Sequence, residues 1–238
     1  LPFALRALET LETATEVFQK QDSKSLSGKI RITSPQTLAF RALSEKLAKF
    51  HKLYPLVEVE IILADHYLDL IEENIDVAFR IMDRADSSLH AIKIGKNPII
   101  FCASPCYLRS TGKITRIEEL KNHSLLVIES HLSLRLKKSR KSLKDLGLPG
   151  WLRSTNGDIL VEQAKAGQGI LVRSLWGVQK EIDSGELIKL ELDDELVSEK
   201  EMYLVFHENR FMPARVRAFI DYMKKAFIEP PSKKKDSL

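Results

Sequence analysis

Residues 28–40, GKIRITSPQTLAF, set a serine, a proline and two hydrogen-bonding residues between a β-rich run and a helix-forming one. A hydroxyl at the end of a strand, next to the free N–H groups of a starting helix, makes a small donor cluster with partial positive charge. Ser34, Gln36 and Thr37 form that cluster, and Pro35 suits a first turn because its missing N–H has no helix partner there. In an α/β sheet such corners lie where ligands settle, outside the carboxyl ends of the strands. The chemistry on offer is capture of a small anionic or polar molecule. The same Ser34 hydroxyl also suits a plain helix cap, worth about 0.5–2 kcal/mol, and the spacing leaves both roles open.

Catalytic and metal signatures are missing from the sequence. G-x-S-x-G, a P-loop and H-E-x-x-H do not occur, and GQG is too short for a dinucleotide fingerprint. No enzyme is expected. His51, His66, His90, His123, His131 and His207 are scattered without metal-ligand spacing, so neither metal nor cofactor is expected. Cys102 and Cys106 are too few for a secreted disulfide framework, which agrees with a reducing compartment. They are open to a thiol-switch reading, against which Cys102 lies in an apolar run where a thiol behaves as an inert hydrophobe.

The 238 residues, 44% hydrophobic and 29% charged, suit one large domain or two of roughly 100 residues each. The net charge of +4 sits largely in RLKKSRKSLKD and the terminal SKKKDSL, leaving a nearly balanced body. RLKKSRK is read as a solvated charge run ahead of a nucleic-acid patch. No stretch approaches the roughly 18 apolar residues of a membrane span, and no signal segment opens the chain, so a cytoplasmic protein without membrane contact is expected.

These residues need a scaffold, and the hydrophobic pattern supplies one. The chain opens on a helix at 1–22 without an initiator methionine, as a fragment would, and Leu1, Ala4, Leu8, Leu11, Thr15 and Phe18 make one apolar seam. That seam fits packing on its own domain and dimerisation equally. KIRIT, LVEVEIIL, IDVAFRI, LHAIKI, NPIIFCAS, SLLVIES, WLRST, QGILVR and EMYLVFH read as strands. Helices are expected over QTLAFRALSEKLAKFHKLY, YLDLIEEN, IEELKN, GDILVEQAKAG, SLWGVQKEIDSG and MPARVRAFIDYMKKAF. Their alternation predicts an α/β protein with mainly parallel sheets. The second half repeats the style of the first, which implies two similar lobes, and 229–238 is expected to be a disordered basic tail.

IRITSPQTLAFRALSEKLAKFHKLYPLVEVEI, DLIEENIDVAFRIMDRADSSLHAIKI, FCASPCYLRSTGKITRIEELKNHSLL, AKAGQGILV and PARVRAFIDYM, in this order, resemble the effector-binding domain of LysR-type transcriptional regulators. The resemblance runs from about Gly28 to Phe227. It implies two Rossmann-like lobes with a ligand cleft between them, as in type 2 periplasmic binding proteins, preceded by a dimerising linker helix. Lobe I would comprise 28–102 and 207–228 and lobe II 103–206, with crossovers near Cys102–Ser104 and Val205–His207. A small effector would alter dimer or tetramer geometry and promoter binding, DNA being held by a winged helix-turn-helix absent from this chain. The alternative is a periplasmic-type solute-binding protein with no DNA-linked role.

The resemblance also implies site positions. Ser34, Gln36 and Thr37 would be joined by Asp65 and His66 after the second strand, by Ser130 after SLLVI, and by Asn156, Gly157 and Asp158 at the second lobe's corner. Facing donor corners favour a ligand bearing a carboxylate. Asp158 works against this, since a carboxylate in the first turn satisfies the same N–H groups. Arg80 could grip such a ligand bidentately or pair with Asp83 and Asp86. The dimer implied sets helix 36–53 of one copy against helix 157–166 of the other.

Overall fold

In the computed structural model the described residues are 26–83, 89–198, 200–207 and 212–228. The expected helix 1–22, the tail 229–238 and Asp86 lie outside them.

β1 (Gly28–Ser34) buries Ile30 and Ile32 completely, and β2 (Val57–Leu63) pairs with it in parallel from Gly28↔Val57 to Ser34↔Leu63. Between them runs α1, a continuous helix over 36–53. Its α-helical ends Gln36–Leu38 and Ser44–Leu53 flank a π-helical turn, Ala39–Leu43, closed by the Ser44 N–H on the Ala39 carbonyl. β3 (Val77–Met82) continues the parallel set on β1, with Ile32↔Val77 and Thr33↔Ala78. β4 (His90–Lys96) and β12 (Glu201–Phe206) then finish the sheet antiparallel, in the order β2-β1-β3-β12-β4.

A second sheet repeats this plan. β6 (Leu125–Ile128), β8 (Leu152–Ser154) and β9 (Ile170–Ser174) are parallel, while β5 (Ile99–Ala103) and β10 (Ile188–Lys189) are antiparallel, in the order β10-β5-β9-β6-β8. β7 (Arg135–Leu136) and β11 (Leu196–Val197) form a separate pair. The sheets are therefore mixed where mainly parallel ones are expected, because β5 and β12 each enter against the direction of their neighbours.

Contacts divide the chain into Asn97–Lys200 and the segments on either side of it. The crossovers fall at 96/97 and 200/201, six residues ahead of the expected boundaries. β5 belongs to the second unit because it pairs with β9, and β12 to the first because it is hydrogen-bonded between β3 and β4.

The first unit is centred on aromatic rings. Phe219 of the final helix, α5 (Ala214–Ile228), meets Phe50 edge-on at 5.0 Å and Phe79 at 6.3 Å, and all three are buried. In the second unit α3 (Gly157–Lys165) and α4 (Leu175–Asp183) cover one sheet face through Leu160, Val161, Ala164 and Val178. Ile114, Ile117, Leu120, Leu136 and Leu143 cover the other. A short helix α2 (Pro105–Thr111), capped by Ser104, follows β5. Of the expected helices, IEELKN forms a 3-10 turn and YLDLIEEN is not helical. Asp69 draws the chain into a turn by accepting the N–H groups of Ile71 and Glu72 at 2.8 and 3.1 Å, and Asn74, at φ 50°, ends it.

Candidate functional site

The corner of the first unit is built where β1 enters α1. Ser34 is 1% exposed, and its hydroxyl donates to the Pro35 carbonyl at 3.1 Å. Pro35 occupies the N-cap position and no side chain caps the helix there. Ser34 is thus not the helix cap, because the proline places it one residue too early. The exposed Gln36 directs its backbone N–H at Asp65 Oδ1, 3.3 Å away, so the helix start already holds one carboxylate oxygen. Thr37 follows in the same turn, half-buried, and His66, next to Asp65, is exposed.

Arg80 reaches this edge from β3. The register Thr33↔Ala78 carries it past the end of β1, beneath the segment that leaves β2. Its Nη2 donates to the Leu68 carbonyl at 2.7 Å, and its guanidinium lies 4.8 Å from the centre of the Tyr67 ring. Partial burial pulls its pKa down, opposed by Tyr67 and Asp69. The observed partners are therefore Leu68 and Tyr67, in place of the Asp83 suggested by sequence proximity. Arg80 fixes the chain that carries Asp65 and His66. Tyr67, 65% exposed, stands beside this candidate corner, and spacing alone does not select it.

The corner of the second unit follows β8. Asn156 caps α3 by accepting the Asp158 N–H on Oδ1 at 2.8 Å, while its own N–H donates to Ser154 Oγ at 3.0 Å. Asp158, half-buried, places its carboxylate in the first turn, where the helix dipole favours it. Ser130 sits in a 3-10 turn after β6, two residues past the Ile128↔Ser154 pair, as Asn156 is on its own strand. Its hydroxyl side is exposed and its carbonyl accepts from Ser133 Oγ at 3.0 Å.

Two residues that sequence reasoning did not select lie at this corner. Arg173, on β9 and 4% exposed, lays its guanidinium against Gly157, where a Cβ would stand 1.9 Å from Cζ, and runs past Gly177. The first turns of α3 and α4 thus meet a buried cation. His131 follows Ser130, and its Nδ1 is buried without a hydrogen-bond partner among the described residues. Burial, and then Arg173, push its pKa down to about 4, so the ring is neutral near pH 7. The only signal available was an arginine inside the apolar run ILVRS.

The two cysteines differ in setting. Burial, with Glu181 adding to it, pushes Cys102 up to about 12, far from a reactive thiolate, and Cys106 is exposed on α2. Among the described residues no three His, Cys, Asp or Glu side chains are grouped to hold a metal ion, and no helix is long and apolar enough to cross a membrane.

Comparison with known proteins matches residues 23–228 to the LysR substrate binding domain. The HTH-type transcriptional activator TtdR of Escherichia coli is 27% identical over 202 residues, 82% of this chain and 64% of that protein. The HTH-type transcriptional regulator DmlR of Escherichia coli is 28% identical over 208 residues, 85% of this chain and 66% of that protein. The chain thus spans less than two thirds of the length of both. The regulatory domain of AphB from Vibrio vulnificus superposes with a TM-score of 0.71 at 28% identity, covering 83% of this chain and 98% of that one. The regulatory domain of CrgA, a LysR-type regulator from Neisseria meningitidis, shares the fold with a TM-score of 0.74 at 24% identity, over 85% of this chain and all of that one. With its two α/β units and this match over most of its length, the chain belongs to the LysR substrate binding domain family.

Proposed function

We propose that this chain is the effector-sensing part of a DNA-binding transcriptional regulator, and that its effector is a small molecule bearing a carboxylate. The relatives named above are regulators, which supports sensing over catalysis or solute capture. DNA contact is assigned to the part of such regulators that this chain does not span, and a cytoplasmic location follows from that role. The observation carrying the ligand class is the Gln36 N–H on Asp65. A helix start that holds a carboxylate from its own chain can hold one from a ligand. In this reading the effector's carboxylate displaces Asp65, Ser34 and Thr37 line the corner, and His66 and Arg80 contact or support its body. Ser130, Asn156 and Asp158 form the second candidate corner. Binding acts by differing affinity for two states of the assembly.

The assembly proposed is a dimer or tetramer in which α1 of one copy packs on α3 of another. Phe40, 58% exposed on α1, and Ile159, 48% exposed on α3, support those faces.

The test is a thermal-shift screen against mono- and dicarboxylates, aromatic acids and amino acids. A ligand at about 100 times its Kd adds roughly 2.7 kcal/mol of stability. The expected hit is a carboxylate that binds more weakly to Ser34→Ala and more tightly to Asp65→Asn, which removes the competing charge. Stabilisation by uncharged ligands alone, or a carboxylate hit indifferent to both changes, would sink the assignment.

A further inference from the structure

The second unit contains a cavity of about 550 Å³, next to the turn that carries Ser130, whose lining includes none of Ser34, Gln36, Thr37, Ser130, Asn156 or Asp158. It opens beside the 3-10 turn after β6 and is walled by Arg135, Lys144 and Arg153, with Leu132 as its apolar face. We propose that it is a separate binding site for a small multivalent oxyanion.

The frame is rigid. Leu136, next to Arg135, and Leu143, next to Lys144, are buried in the core, and Arg153 is on β8. The Lys144 N–H donates to Leu132 O and the Leu143 N–H to Leu134 O, both at 3.0 Å, so Lys144 and Leu132 are held across from each other. Arg135 is bridged to Ser142 through the backbone.

Three cations and two carboxylates, Glu129 and Asp145, line the cavity, which leaves an excess of positive charge. Asp145 is turned into its own loop, where Oδ2 accepts the Ser142 N–H at 2.9 Å, and these bonds to Ser142 hold its carboxyl below the usual carboxylate range. Glu129 stands 3.8 Å from Arg153, and both side chains are more than half exposed. Such a pair contributes little and gives way readily to a ligand anion. With Glu129 displaced, Arg135, Lys144 and Arg153 line the cavity against the one remaining carboxylate, Asp145, which is also attracted to Arg135 and Lys144; Arg135 Nη1 donates to the Arg140 carbonyl at 3.3 Å, and both arginines are guanidinium forks that match carboxylate or phosphate geometry. A volume within the usual range for small-molecule sites fits a compact ligand with two or more anionic groups.

The probes are inorganic pyrophosphate and citrate, titrated calorimetrically into the full chain at low ionic strength. The expected result is saturable binding of at least one of them, weakened about tenfold or more in Arg135→Gln/Arg153→Gln, as loss of charge-assisted bonds requires. Lys137→Gln/Lys141→Gln removes the same charge from the neighbouring turn, whose lysines do not line the cavity, and should change affinity by less than about twofold. Ser34→Ala should change nothing, which separates this site from the proposed effector corner. The four replaced Arg and Lys side chains are exposed, and unchanged melting temperatures confirm that the variants fold. Equal weakening by the two double variants would reduce the effect to diffuse charge and overturn the site. So would the absence of saturable binding by both probes.

Discussion

Replacing Gly157 by alanine tests the second corner most directly. The added Cβ would stand 1.9 Å from Arg173 Cζ and 2.1 Å from both terminal nitrogens. An ordinary carbon–carbon contact is roughly 3.5 Å, so the guanidinium must retreat by roughly 1.6 Å, and at 4% exposure it has little room to do so. Overpacking of this kind costs about 1–3 kcal/mol. Alanine in a helix returns up to about 1 kcal/mol relative to glycine. The net expectation is a loss of about 1–2 kcal/mol. With a urea m-value near 2 kcal/mol/M, that lowers the midpoint by about 0.5–1 M at unchanged m. Both tryptophans, Trp151 and Trp176, belong to Asn97–Lys200, so intrinsic fluorescence reports the affected unit. In an Arg173→Ala background the clash is gone, and Gly157→Ala should become neutral or stabilising, a coupling that a double-mutant cycle resolves. A midpoint equal to or above that of the parent would refute the close approach. The same penalty with and without Arg173 would mean that something else fills the space.

The remaining predictions address other links in the structure. Arg80→Met removes the bond to Leu68 and the stacking on Tyr67, and should cost on the order of 1–2 kcal/mol in thermal unfolding; amide exchange should quicken over 69–75, and exchange unchanged there would deny that Arg80 anchors the segment. Phe219→Ala empties the centre of the ring cluster and should cost about 3–5 kcal/mol, read by exchange protection of β1 and β3; a loss below about 1 kcal/mol would show that the rings are not the centre of that core. His131 gives a pH signature. The unfolded chain takes its proton near pH 6.5 and the folded one near 4, so in that window the unfolded state holds more protons and stability falls as the pH drops. The effect is on the order of 3 kcal/mol, level above about 6.5 and below about 4, and His131→Phe should remove it from the difference between the two stability curves. Arg173 and Lys200 both act on this ring, so parallel curves would mean that the ring is already protonated or solvated.

Periodicity revealed the long elements because burial wrote them. Ile30 and Ile32 alternate with Arg31 on β1, and Leu38, Leu43 and Phe50 mark the buried side of α1. It could not reveal the π turn at Ala39–Leu43, where one extra residue enters the helix while its composition stays helical. Nor could it give strand direction. β5 and β12 are apolar runs like their neighbours, and only pairing shows that they run the other way and draw the unit boundary to 96/97 and 200/201. β7, β10 and β11, at two residues each, are too short for any period. YLDLIEEN has a helical pattern, but Asp69 competes for its first N–H groups and wins a turn.

The same division holds at the candidate site. Ser34, Gln36 and Thr37 were legible because a strand, a proline and a helix start are adjacent in the chain, and the geometry depends only on that local order. Asp65 joins them through the parallel register of β1 and β2, a tertiary consequence, yet one that strand order makes accessible. Arg173 and His131 were not legible, because what brings them to this candidate corner is desolvation and proximity between residues far apart in sequence. A glycine such as Gly157 carries no sign that a guanidinium occupies the space of its absent side chain. The sequence shows an arginine in a strand, and only the fold turns it into a buried cation at a helix start. That conversion explains why the first unit's corner was found by chain order while the second unit's electrostatics required the packed structure.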